Sequence, residues 1–320
     1  MTLTRFGFSI PSFTYPGVAD TAMFDVVRSA ATTAESSGFD SIWVMDHFHQ
    51  IPQQGSADEP ILEAYTLLAA LAAVTRTARL GALVTGVTYR NPALLAKSVT
   101  TLDIVSGDRA VLGIGAAWYE EEHLAYGYEF PPVRERMDRL EDAVRICRAM
   151  FGGGPATITG KHHRTAGALN LPRPISGEGL PILVGGGGER RTLDIAARHG
   201  DACNIFGDPA TVRHKLSVLE AHCERAGRDP AEISKTRLGA LVMADTAAEA
   251  ARIGAELRAK RNMSMDKYRD YTTEGTPDSV CEQVAELFDA GLDGLIFNLP
   301  DTADLDAIAA AGSVLSSNFA

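Results

Sequence analysis

The sequence predicts an α/β protein, a (β/α)8 TIM barrel with insertions, on three observations. Eight short apolar runs recur along the 320 residues, helical patterns separate them, and glycines, aromatics and an Asp-His pair collect at the ends of the runs. Strand alternating with helix implies parallel strands joined by right-handed crossovers, and eight such units close into a barrel. A doubly wound open sheet is the alternative architecture. With 45% hydrophobic residues, no linker and no low-complexity tract, the chain reads as one barrel domain over residues 1–320.

The first run covers residues 5–10 and is followed by Met23, Val26, Val27, Ala30 and Ala34 at helical spacing. The second, 41–45, precedes Leu62, Tyr65, Leu68 and Ala72, and the third, 79–85, precedes Leu95, Val99 and Leu102. The fourth is 109–114. After the fifth, 181–184, the stretch ERRTLDIAARHG is helical, with Leu193, Ala196 and Ala197 on one face and Gly200 ending it. Runs 202–206, 237–243 and 294–298 complete the eight. Met23, Leu62, Leu95 and Leu140 stand at helical spacing and read as core. Segments 115–131, 152–178 and 258–276 exceed ordinary connections, and long loops in compact domains are usually lids or binding loops.

Composition narrows the function. A net charge of −11 without a Lys/Arg cluster argues against a nucleic acid or an anionic membrane as partner. Cys147, Cys203, Cys223 and Cys281 form no CxxC pair and read as reduced side chains, three of them on helices. The start, MTLTRFGFSIPSF, has no leader pattern and no stretch approaches a membrane span, so a cytoplasmic location is expected.

In a barrel the strand C-termini meet on one face, where active sites sit. Here they carry SIPSF, MDHFH, VTGVTYRNP, GIGAAWYEEEH, VGGGG, NIFG, VMAD and FNLP. Four glycines, Gly185 to Gly188, lie on a strand-to-helix turn. Bare backbone there aims free N–H groups and the positive end of a helix dipole at one spot, which suits a phosphate or carboxylate. The set describes a pocket for something flat and phosphorylated. His47 beside Asp46 is the candidate proton carrier, because imidazole changes charge near neutrality. Asp46-His47-Phe48-His49 also holds a His-x-His pair that would suit a metal, but the other strand ends lack further ligands, so no metal is expected. The run AVLGIGAAW lacks the third glycine of a dinucleotide fingerprint, Trp118 standing in its place, and GGGGER lacks the Lys-Ser/Thr of a P-loop. Of the run Glu120-Glu121-Glu122, usually a solvated face, one carboxylate is available to line the pocket. Thr85-Gly86 is consistent with a bulge or a strained peptide against a planar ligand.

The Asp46-His47 strand end, GALVTGVTYRNPALLAKSVTTLDIVSGDR, GIGAAWYEEE, PPVRERMDRLEDAV and PILVGGGGERRTLDIAARHGDACN together resemble the bacterial luciferase-like family, specifically its coenzyme F420 (deazaflavin)-dependent oxidoreductases. The similarity runs through nearly the whole chain. It implies a barrel, commonly homodimeric, that binds a deazaflavin or a flavin at the strand C-termini and acts on a small-molecule substrate. By the same resemblance Gly185, Gly186, Gly187 and Gly188 hold the cofactor phosphate, Thr85-Gly86 occupies the place of a non-prolyl cis peptide behind the ring, and Asp46 meets the ring's polar edge. His47 falls near the hydride-bearing carbon, and Trp118 and Glu121 fall among catalytic pocket residues. Some sugar-phosphate dehydrogenases of the family carry a glutamate acid near Trp118, a departure that speaks against that substrate. The implied reaction is hydride transfer between F420 and a small organic molecule. The alternatives are an FMN-dependent monooxygenase, a deazaflavin-binding protein without turnover, and the metal hydrolase suggested by His-x-His.

Overall fold

The computed structural model describes residues 3–319. Its strands are β1 (Phe6–Ile10), β2 (Ser41–Val44), β3 (Arg79–Ala82), β4 (Thr85–Gly86), β5 (Ala110–Gly115), β6 (Ala156–Thr159), β7 (Arg164–Ala168), β8 (Ile182–Gly185), β9 (Ala202–Ile205), β10 (Ser234–Met243), β11 (Thr272–Gly275) and β12 (Gly294–Asn298). The helices are α1 (Met23–Ser37), α2 (Ala64–Val74), α3 (Pro92–Ser106), α4 (Glu120–Ala125), α5 (Val133–Phe151), α6 (Thr192–His199), α7 (Pro209–Ala226), α8 (Ala247–Lys260), α9 (Met265–Tyr271), α10 (Pro277–Asp289) and α11 (Leu305–Phe319). Strands β1, β2, β3, β5, β8, β9, β10 and β12 pair in parallel in that order, and β12 pairs back onto β1. The fold is therefore a closed (β/α)8 barrel, and the open sheet is excluded.

Alternation along the strands builds two layers of core. Trp43, Val111, Leu183, Ala202 and Ile296 point inward and cluster with Leu3, while their neighbours Ile42, Val44, Leu112, Ile182, Val184, Leu295 and Phe297 point outward against the helices. Leu83, Val84 and Leu238 pack on the inner cluster and form the floor of the barrel mouth. Caps fix where the helices begin. Asn91 accepts from the Ala93 N–H at 2.9 Å ahead of Pro92, and Asp208 accepts from the Thr211 N–H at 2.8 Å ahead of Pro209.

Three expectations need correction. The third strand stops at Ala82, and the non-prolyl cis bond joins Leu83 to Val84, not Thr85 to Gly86. Thr85 and Gly86 are instead extended and paired with Ile114 and Gly115 as β4, so the bulge precedes them. The long segments are not bare loops. Residues 115–131 contain α4, 152–178 contain the β6–β7 hairpin, and 258–276 contain α9 and β11. The polar strand β11, TTEG, extends the sheet at the C-terminal half of β10. All four cysteines are unpaired, Cys147, Cys203 and Cys223 being buried. Among the described residues no helix is long and apolar enough to cross a membrane.

Candidate active site

Two adjoining cavities occupy the barrel mouth. One, of about 310 Å³, runs from Asp46 past Val84, Thr85 and Gly86 to Gly185, Gly186 and Thr192. The other, of about 390 Å³, lies over the barrel axis between Ser9, Tyr271 and Asn298. His47, Leu83, Trp118, Phe206 and Leu238 line both. A larger cavity of about 540 Å³ between α8 and α11 is rimmed by solvated charges such as Arg252, already paired with Glu249 and Glu256, and has no such constellation.

Asp46 leaves the end of β2 fully buried. Its Oδ2 binds Arg90 at 2.5 Å and accepts from the Gly86 N–H at 3.3 Å, and Arg90 reaches on to Glu63 at 2.6 Å. Burial pushes the Asp46 carboxyl above its ordinary range, more than the Arg90 charge pulls it back. Its Oδ1 is buried and has no hydrogen-bond partner among the described residues. A buried acceptor without a donor is costly, so this oxygen is built for a group the protein does not itself supply.

His47 is held by Glu122. The imidazole Nδ1 lies 3.0 Å from Glu122 Oε1, and Glu122 also accepts from the Phe48 and His49 N–H groups, the latter at 2.9 Å, and from the Tyr89 hydroxyl. Burial alone would raise the Glu122 carboxyl, but His47, Tyr89 and the His49 N–H outweigh it and hold it below its ordinary range. An ionised Glu122 accepts Nδ1–H, which leaves Nε2 as the ring nitrogen free to meet a substrate. Trp118 packs edge-on against His47 with ring centroids 5.7 Å apart and stacks on Tyr119.

The structure thus brings together Asp46, His47, Thr85, Gly86, Trp118, Gly185 and Gly186. It does not bring Glu121, which is exposed on α4 and lines neither cavity. The carboxylate of the site is its neighbour Glu122, because one helical step turns the side chain by about 100° and, of the three glutamates, only Glu122 is buried. His49 packs against Tyr126 rather than joining His47, and among the described residues no three His, Cys, Asp or Glu side chains converge as for a metal. Arg90, Tyr89, Asn204, Phe206 and Leu238 were not singled out in the sequence. For all but Leu238, which lies mid-strand in β10, the signal lay in standing at or just beyond strand ends.

The glycine turn is an open cradle. Gly186 has φ +116°, donates its N–H to Asn204 O at 2.9 Å, and is followed by Gly187 and Gly188, whose N–H groups have no protein acceptor among the described residues. A Cβ on Gly185 would lie 2.6 Å from Val84 Cγ1, and one on Gly188 would lie 2.7 Å from Thr192 Oγ1. Glycine is needed for space at both positions. Thr192 opens α6 beside them, so free N–H groups, a hydroxyl and a helix N-terminus converge where an oxyanion would sit.

These features fit a flavin or deazaflavin. The orphaned Asp46 Oδ1 matches the imide N–H of such a ring, and Gly185, Gly186 and Thr192 at the wall of the same cavity match a phosphate, with Gly187 and Gly188 next in the turn but not lining that cavity.

Comparison with known proteins agrees. An F420-dependent glucose-6-phosphate dehydrogenase of Mycolicibacterium gilvum is 29% identical over 298 residues, 84% of this chain and 86% of that one. Among solved structures, the coenzyme F420-dependent tetrahydromethanopterin reductase of Methanopyrus kandleri superposes with a TM-score of 0.81 at 19% identity, covering 99% of both chains. The EDTA monooxygenase of Chelativorans sp. BNC1 reaches a TM-score of 0.84 at 18% identity over 99% of this chain and 94% of its own. The family model for luciferase-like monooxygenases matches residues 4–269, most of the chain, and the protein belongs to that family.

Proposed function

We propose that the protein is a coenzyme F420-dependent oxidoreductase that moves a hydride between the deazaflavin and a small organic substrate. The observation that carries this reading is one cavity holding an orphaned acid oxygen, an open glycine cradle and a carboxylate-held imidazole. The choice of F420 draws on the Mycolicibacterium relative, whose match covers 84% of this chain. When bound, the deazaflavin supplies the hydride-carrying carbon. Asp46 Oδ1 would accept the imide N–H, Gly187, Gly188 and Thr192 would hold the phosphate, and Thr85, Gly86 and the Leu83–Val84 peptide would pack against the ring.

His47 exchanges the proton. Its Nε2 takes the proton from a substrate hydroxyl, or returns it to a carbonyl oxygen, while Glu122 fixes the tautomer and steadies the charged ring. Trp118 and Phe206 wall the reacting position. The glucose 6-phosphate of the named relative is not carried over to this chain, because by the family resemblance some sugar-phosphate dehydrogenases have a glutamate acid near the place of Trp118. Screening alcohols and carbonyl compounds with F420 and its reduced form tests the reading. His47→Asn is expected to lower turnover by roughly 10²–10⁴-fold with F420 affinity unchanged, and full activity in that variant would overturn the role.

A second reading, an FMN-dependent monooxygenase, is favoured by the description of the family model. Oxygen uptake with reduced FMN would support it. The whole chain acts as one barrel domain, and its four unpaired thiols accord with a cytoplasmic setting. We also propose a homodimer. Leu94 and Val105 on α3, with Leu171 and Ile175 beside it, are between 51% and 60% exposed and form an apolar strip suited to a second copy. Sedimentation tests this, and a monomer at micromolar concentration would contradict it.

A further inference from the structure

The cavity over the barrel axis contains an unused cation. Arg261, directly after α8, is only 6% exposed, yet among the described residues its guanidinium forms neither an ion pair nor a hydrogen bond. Its one resolved neighbour of this kind is the Tyr271 ring, 5.8 Å from the guanidinium carbon. No Asp or Glu lines this cavity, and its remaining walls are mostly apolar, including Met45, Ile51, Leu238 and Met263. A buried guanidinium holds five donors in a planar fork and ordinarily meets a carboxylate or phosphate. Open to the cavity and without a protein acceptor among the described residues, the Arg261 fork is available to a ligand's oxyanion.

We infer that the substrate of this enzyme carries a carboxylate, bound in bidentate fashion by Arg261 at the wall of the axial cavity, with the reacting carbon held at the wall shared with His47. This rests on the oxidoreductase reading above and adds the substrate class to it. A carboxylate is favoured over a phosphate monoester because, among the described residues, Arg261 is the one Lys or Arg lining the cavity, and the His47 ring is held by Glu122. One guanidinium matches one carboxylate in charge and geometry, and it leaves the second charge of a phosphate without a partner.

The test uses hexanoate, 1-hexanol and hexyl phosphate as probes, titrated calorimetrically into the F420-loaded protein and, in parallel, into the protein without F420. Hexanoate is expected to bind roughly 10–100-fold more tightly than 1-hexanol, the gain of one charge-assisted pair. Arg261→Gln should abolish that preference and Arg261→Lys keep part of it, with F420 affinity unchanged in both. The Arg261 side chain makes no hydrogen bond, so neither variant should disturb the fold, which thermal melting checks. Equal binding of hexanoate and 1-hexanol, a preference that survives Arg261→Gln, or tighter binding of hexyl phosphate than hexanoate would each overturn the inference. Failure of F420 to bind would instead sink the cofactor reading, and the titrations without F420 would still decide the role of Arg261.

Discussion

Replacing Glu122 by Gln should disable the enzyme through a single proton. In the native site both oxygens of Glu122 accept: Oε2 from the Phe48 and His49 N–H groups, Oε1 from His47 Nδ1 and the Tyr89 hydroxyl. A glutamine of the same shape keeps its carbonyl on the two backbone groups and turns its NH₂ toward His47. Nδ1 must then accept, the ring proton moves to Nε2, and the lone pair that faced the substrate is gone. Exchanging a charged for a neutral acceptor in this buried position costs about 1–3 kcal/mol of stability, while losing the base costs roughly 10²–10⁴-fold in turnover. Nitrogen-15 NMR of histidine-labelled protein reads the tautomer without any substrate. The wild type should show a protonated Nδ1 and the variant a protonated Nε2, with F420 affinity the same in both. An unchanged tautomer, or a changed one with full turnover, would refute the assignment of His47 as the proton carrier.

Other consequences follow from the same geometry. Asp46→Asn removes the charge that Arg90 holds and weakens the acceptor at the ring edge, so F420 affinity should fall by roughly 10–100-fold by calorimetry; an unchanged Kd would remove Asp46 from the cofactor site. Gly186→Ala forces a side chain onto φ +116°, a conformation close to exclusive to glycine, and should cost about 1–3 kcal/mol in thermal unfolding together with loss of cofactor affinity. A variant as stable and as avid as the wild type would show that the turn is not a rigid cradle. Acid stability supplies a further check. The Glu122 carboxyl is held below its ordinary value near 4.5, so its contribution is present above that pH and is lost as pH falls through the depressed folded value. Denaturant titrations from pH 6 to 3 should therefore give a steeper acid loss in the wild type than in Glu122→Gln, and parallel curves would contradict the account.

Most of the barrel was legible because its strands are buried on both faces and read as uninterrupted apolar runs. Where that signal fails, so does the reading. Strand β11 is Thr-Thr-Glu-Gly and has no apolar run, because it pairs only with the extension of β10 beyond the barrel wall. The stretch 79–85 reads as one continuous strand, yet the chain breaks stride at Leu83–Val84, a backbone event that side-chain pattern does not encode. Gly185 to Gly188 were legible because four bare residues have few other uses. Glu122 was legible only as one of three adjacent carboxylates. Choosing among them required the phase of α4, a six-residue helix too short to show its own periodicity. Arg261 left no trace at all, since an unpaired cation is defined by missing partners and sequence does not display those.

The central claim is that this barrel mouth is built for coenzyme F420. Trp118, half exposed on the wall of both cavities, provides the reporter, while Trp43 lies sealed inside the barrel. Titrating the purified protein with F420 and separately with FMN, and following tryptophan quenching, should give tight, saturable binding of F420 and much weaker binding of FMN. Preference for FMN would contradict the claim and move the protein to the oxygen-using side of its family.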